Sequence, residues 1–235
     1  MFELSARTQD YIERTKAFIK NEIEPVETEF WNDVHHLNQG GDWTKWQWPA
    51  QLEVLKNKAK VAGLWNMFLP DAELGQGLSV QEYAHIAELS GRSLIAPIVF
   101  NCNAPDSGNM EVLWRYGTES QKEQWLKPLL DGKIRSVFCM TEPAVASSDA
   151  TNMQATAVIE GDEIVLNGRK WWSSGLGDPN AKIIIFMAHT PDSTKDRHHQ
   201  HSMVLVPIDT LGVKIERMLP VFVDYDAPHG HGEIS

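Results

Sequence analysis

The sequence predicts an α+β protein, with helices over residues 1–133 and strands over residues 134–235. Three observations predict it. Apolar residues recur at helical spacing up to Gly132, and the period then changes. Two capping boxes, Ser79 with Glu82 and Thr118 with Gln121, lie in the first part. In the second part Gly161-Asp162 separates two short apolar runs, which marks a hairpin. Helices followed by strands imply segregated layers, with a boundary near Lys133.

Taken in order, Tyr11, Ile12, Phe18, Ile19 and Ile23 predict a first helix that Pro25 stops. The polar stretch from Val34 to Asp42, with His35, His36 and Gly40-Gly41, reads as a loop. Pro49 opens the next helix, Leu52, Leu55, Ala59 and Ala62 form its apolar face, and Gly63 ends it. The Ser79 box starts a helix carrying Tyr83, Ile86 and Ala87. Asp106 is placed to cap a fourth, with Met110, Leu113 and Trp114 inside and Gly117 at its end. The Thr118 box starts a fifth with Trp125, Leu126, Leu129 and Leu130. Five helices with short joins make a bundle.

Strands are predicted at Ser136–Met140, Ala155–Ile159, Glu163–Leu166, Lys170–Ser173, Ile183–Ala188, Ser202–Val206 and Val213–Arg217. The polar run from Asp192 to His201 reads as a mobile loop.

Composition narrows the function classes. A net charge of −11 without a basic patch argues against a nucleic-acid partner. It also supplies no long-range attraction for an anionic substrate, so such binding has to be local. Two cysteines, Cys102 and Cys139, form no paired motif and suggest a reducing, cytoplasmic compartment. No apolar run approaches a membrane span, and Met1-Phe2-Glu3-Leu4 lacks the features of a signal peptide. Nine tryptophans are many for 235 residues, and tryptophan favours pockets and interfaces.

The chain is organised around Phe138 to Asp149, a strand end running into a turn of small and hydroxyl-bearing residues. Pro143 keeps Glu142 out of the helical region, and Ala144, Ala146, Ser147 and Ser148 let a ligand approach the main chain. A plain surface turn is the alternative. Glu142 itself reads as a turn residue that bonds main chain rather than as a base. The histidines at 35–36, 198–201 and 229–231 lie in polar loops without a ligand set around them, so no metal is expected. No nucleophile elbow, P-loop or dinucleotide fingerprint occurs.

About thirty residues later comes Lys170-Trp171-Trp172-Ser173-Ser174-Gly175. Together the two segments resemble the flavin-binding signatures of the acyl-CoA dehydrogenase family. The first is similar to its Thr-Glu-Pro loop, the second to its Trp-Ile-Thr-Asn-Gly segment. The doubled Trp and the Ala-Ser-Ser-Asp ending most resemble the subgroup of family members 10 and 11. The resemblance covers nearly the whole chain.

The resemblance implies a helical N-terminal domain over 1–133 and a middle antiparallel β-barrel over 134–235, with the family's C-terminal four-helix domain missing. It implies FAD as cofactor and α,β-dehydrogenation of an acyl-CoA thioester to the 2-enoyl-CoA, as in fatty acid β-oxidation. Phe138, Met140 and Thr141 would face the flavin, and Ser147 and Ser148 its pyrophosphate or the CoA part of the substrate. Trp171 would cover one flavin face, with Trp172 beside it and the Ser173 hydroxyl near N5. Implied partners are the acyl-CoA substrate, an electron-transfer flavoprotein or similar acceptor, and further copies of the full-length chain. The family's catalytic glutamate normally lies in the missing domain, so no residue is assigned as the base. Alanines 144 and 146 replace the family's usual glycines, in a loop one residue longer. A non-catalytic short homologue that binds acyl-CoA or protein is the second reading.

Overall fold

The computed structural model describes residues 4–192 and 194–235. The chain divides into two compact units, Met1–Gln39 with Gln47–Gly132, and Gly40–Trp46 with Lys133–Ser235.

The first unit is helical: α1 (Ala6–Phe18), α2 (Glu24–Leu37), α3 (Gln51–Val61), α4 (Val80–Ser90), α5 (Ala96–Val99), α6 (Asp106–Tyr116), α7 (Glu119–Gln121) and α8 (Lys127–Leu130). Ser5 caps α1 by accepting from the Thr8 amide, and both expected capping boxes are formed. Pro25 does not stop the first helix. A π-turn over Ile19–Ile23 carries the chain into α2, with Pro25 in its first turn. There the missing proline N–H costs no hydrogen bond, and the Glu24 amide reaches back to the Ile19 carbonyl. The helix then runs to Leu37, into the stretch expected as loop. Asp106 lies inside the first turn of α6, one residue past the cap position, which Pro105 holds.

Ile23, Phe30, Leu55, Met67, Leu78, Ile86 and Phe100 form the centre of this unit, each nearly or fully buried. Two left-handed asparagines fasten its far end. Asn101 donates to Asn66 at 2.7 Å and to the Leu129 carbonyl at 3.0 Å, and Asn66 donates to the Leu130 carbonyl at 3.0 Å.

The second unit carries β1 (Arg135–Cys139), β2 (Thr156–Glu160), β3 (Glu163–Asn167), β4 (Lys170–Ser174), β5 (Ala181–His189), β6 (His201–Pro207), β7 (Ile215–Met218) and β8 (His231–Ile234). One sheet has the order β1-β5-β2-β3, with β6 on β5, and the other the order β4-β8-β7. β1 runs parallel to β5 because the intervening chain crosses over through β2, β3 and β4.

The β class is as expected, but the closed antiparallel barrel is not. Among the described residues there are two sheets, with parallel pairings at β1–β5 and β2–β5. Register shifts interrupt both ladders of β8, between Lys170 and Ser173 and between Ile215 and Arg217. Such bulges bend a strand and end regular pairing. β8 itself went unread in the sequence because His231-Gly232-Glu233-Ile234 has no apolar alternation. Gly232 is required there, since a Cβ would lie 2.3 Å from Leu176 Cδ2. Trp46 is buried in this unit, its ring lying against Gly177 and Gly230.

Candidate functional site

β1 ends at Cys139, and the chain leaves the sheet through Met140 and Thr141 into the turn of Ala144 to Asp149. β4 starts alongside. The Trp171 amide donates to the Thr141 carbonyl at 2.9 Å, so the two sequence segments are neighbours in space.

A buried ion pair holds them. Lys170 Nζ lies 2.8 Å from Glu142 Oε1 and 2.9 Å from the Met140 carbonyl, with both side chains almost wholly buried. Its ammonium also sits 5.0 Å from the Phe186 ring centre, a cation–π contact. Glu142 accepts from the amides of Gln154 at 2.8 Å and Ala155 at 2.9 Å. Burial alone would raise the Glu142 pKa, but the Lys170 hydrogen bond and these two amides outweigh it and hold the carboxyl below its ordinary value. Burial pulls the Lys170 pKa down, against the attraction of Glu142. Glu142 therefore bonds main chain as read from the sequence, while its lysine partner was missed. The available signal was a lysine opening a strand of otherwise uncharged residues.

Ser147 closes the turn, its hydroxyl accepting from the Glu142 amide at 2.8 Å. Ser148 and Thr141 are exposed, and Phe138 and Met140 half-buried. On β4 the ladder breaks at Trp172, which is left-handed at φ +52° and 42% exposed. Its ring stands 6.1 Å from that of Trp171 and 6.4 Å from that of His231. A non-glycine residue in this region is strained, and such strain concentrates at functional positions.

Ser173 is 1% exposed, and among the described residues its hydroxyl meets the Cys139 thiol but no nitrogen or oxygen partner. The indole nitrogen of Trp171 is likewise buried without one. The thiol of Cys139 interacts with Ser173, and burial pushes that thiol up to about 11, so it stays protonated and inert.

The site thus holds a buried indole N–H in need of an acceptor, a buried hydroxyl whose one neighbour is a weakly bonding thiol, and an exposed turn of small residues, all braced by one ion pair. Residues 5–133 match the family model "Acyl-CoA dehydrogenase, N-terminal domain", and residues 137–233 match "Acyl-CoA dehydrogenase, middle domain". The chain belongs to the acyl-CoA dehydrogenase family. It is 50% identical over 235 residues to acyl-CoA dehydrogenase family member 11 of Gallus gallus, matching all of this chain and 30% of that protein. A structure from Mycobacterium abscessus assigned as an acyl-CoA dehydrogenase shares 59% identity, with a TM-score of 0.93, over all of this chain and 58% of its own. Glutaryl-CoA dehydrogenase of Mycobacterium smegmatis, solved in complex with FADH2, has the same fold, with a TM-score of 0.70 at 21% identity over 98% of this chain and 52% of its own. The chain spans under a third of the length of the member 11 relative.

Proposed function

We propose that this chain supplies the helical and β domains, residues 1–133 and 134–235, of an FAD-dependent acyl-CoA dehydrogenase. The observation that carries the reading is the Lys170–Glu142 clamp, which pins the start of β4, the strand of Trp171 and the buried Ser173 hydroxyl, to the exposed Thr141 turn. A flavin fits these residues. Its isoalloxazine offers ring nitrogens and carbonyls as acceptors, and a flat face for an indole.

In this reading Thr141 and the main chain of Met140 hold the polar edge, with Phe138 behind them. Ser173 donates to the edge nearest β4. Trp171 covers one face and excludes water, with Trp172 next to it. Ser148 takes the pyrophosphate or the CoA part. Ser147 shares that role while its oxygen accepts from Glu142 within the turn. When bound, the cofactor supplies the hydride acceptor for oxidation of the acyl chain. The protein's own part is alignment and desolvation, for which the buried ion pair makes a stiff base.

An acyl-CoA, a flavoprotein electron acceptor and self-association belong to the same proposal for the whole protein. The test joins this chain to the remaining region of its longer relatives, loads FAD, and adds acyl-CoA thioesters of several lengths without oxygen. Loss of flavin absorbance with at least one thioester is expected. Thioester binding without any loss would instead favour a non-catalytic acyl-CoA-binding module.

A further inference from the structure

Next to the strained Trp172 stands a row of Ser174, His231 and Asp226, joined by one hydrogen bond and one ion-pair contact. Ser174 Oγ lies 2.9 Å from His231 Nδ1, and His231 Nε2 lies 3.3 Å from Asp226 Oδ2. Ser174 is half-buried and His231 is 22% exposed, so reagents in solution can reach the pair. The register of β4 on β8 sets Ser174 directly opposite His231. Asp226, in the left-handed region at φ +53°, comes from the loop that leads into β8.

We propose that Ser174 is an activated nucleophile that accepts acyl groups from activated esters and thioesters. With its Nε2 proton directed at the Asp226 carboxylate, His231 keeps the Nδ1 lone pair toward the serine hydroxyl. Nucleophile, base and orienting carboxylate then stand in the order that acyl transfer needs. The Ser174 oxygen attacks the acyl carbon as its proton passes to His231 Nδ1. The new oxygen–carbon bond forms as the bond to the alcohol or thiol breaks, and the leaving group takes the proton from His231. The product is O-acyl-Ser174. Trp172, with its ring next to His231, gives the acyl part an apolar shelf.

The row does not make a fast hydrolase. The nearby amides of Gly175 and Gly177 already donate to the carbonyls of Gly230 and His229, at 2.9 and 3.0 Å. They cannot also serve a tetrahedral oxyanion. Both acylation and deacylation are slowed by this, but an alkyl ester on serine is a less activated acyl donor than an aryl ester or thioester, so deacylation is the slower step and the acyl-serine accumulates. This inference stands apart from flavin binding, because it needs neither cofactor nor acyl-CoA.

The experiment treats the chain with p-nitrophenyl acetate and follows nitrophenolate release, intact mass and peptide mapping. One acetyl group per chain, mapped to Ser174, is expected. Ser174→Ala loses the burst, and His231→Asn slows it by about a hundredfold, the low end for a positioned base. Mapping of the unaltered chain decides the matter whether or not the variants fold. An acetyl group found elsewhere with Ser174 unmodified overturns the proposal. So does a folded Ser174→Ala chain that keeps the full burst.

Discussion

The ammonium of Lys170 bonds both the Glu142 carboxylate and the Met140 carbonyl, so the first residue of β4 is pinned to the turn that follows β1. Neither charge reaches water, and each is the other's main compensation. Lys170→Met leaves a buried carboxylate without its cation and is expected to cost about 3–5 kcal/mol. Pairing it with Glu142→Gln removes the orphaned charge and recovers part of that loss. Urea unfolding of the single and double variants measures both. A single variant as stable as the parent would mean that the pair is not a clamp.

Acid should loosen the fold in a defined window. Glu142 is held below its ordinary value of 4.5, and Glu82 is lowered to about 2, chiefly by the Ser79 amide and then by the Thr8 hydroxyl. Below pH 4.5 the unfolded chain binds protons that these folded carboxylates refuse. Their contribution is complete above that pH and is lost as pH falls through the folded values. The midpoint of urea unfolding is expected to drop from pH 5 toward pH 2. Glu82→Gln and Glu142→Gln should each flatten the drop.

A third expectation concerns the turn at Phe222-Val223. The amide of Val221 donates to the Asp224 carbonyl at 2.7 Å and that of Asp224 to the Val221 carbonyl at 3.0 Å. Both central residues are left-handed, at φ +48° and +68°, and almost fully exposed. This conformation favours Asn-Gly, and a β-branched valine is poorly suited to it. Replacing the pair by Asn-Gly removes exposed apolar surface and strain, and should stabilise the chain by about 1–2 kcal/mol. Thermal unfolding checks the sign.

Much of this architecture was legible in the sequence, where the signal was local. Ser79 with Glu82 and Thr118 with Gln121 form the boxes their spacing implies, and Gly161 turns the hairpin at φ +65°. Pro25 misled because a π-turn absorbs the proline that an α-turn would reject. β8 was hidden because it exists through pairing with β4 and β7, not through its own pattern. The same limit applies to the site. The Thr141 turn and the Trp171 strand were singled out by the resemblance of their two motifs to a family's signatures, since on its residues alone the turn reads equally as a plain surface turn. Lys170 and His231 acquire their partners Glu142 and Ser174 only after residues 28 and 57 positions apart are brought together.

Flavin binding itself is the most direct test. FAD is titrated into the chain joined to the remaining region of its longer relatives, with protein fluorescence and flavin content as readouts. The parent should bind FAD and quench its tryptophan emission. Trp171→Ala should bind more weakly through lost stacking area. Thr141→Val keeps the shape, loses one hydroxyl, and should cost about 0.5–1.5 kcal/mol. If both variants bind FAD as tightly as the parent, the flavin lies elsewhere, and the Thr141 turn and β4 do not form its site.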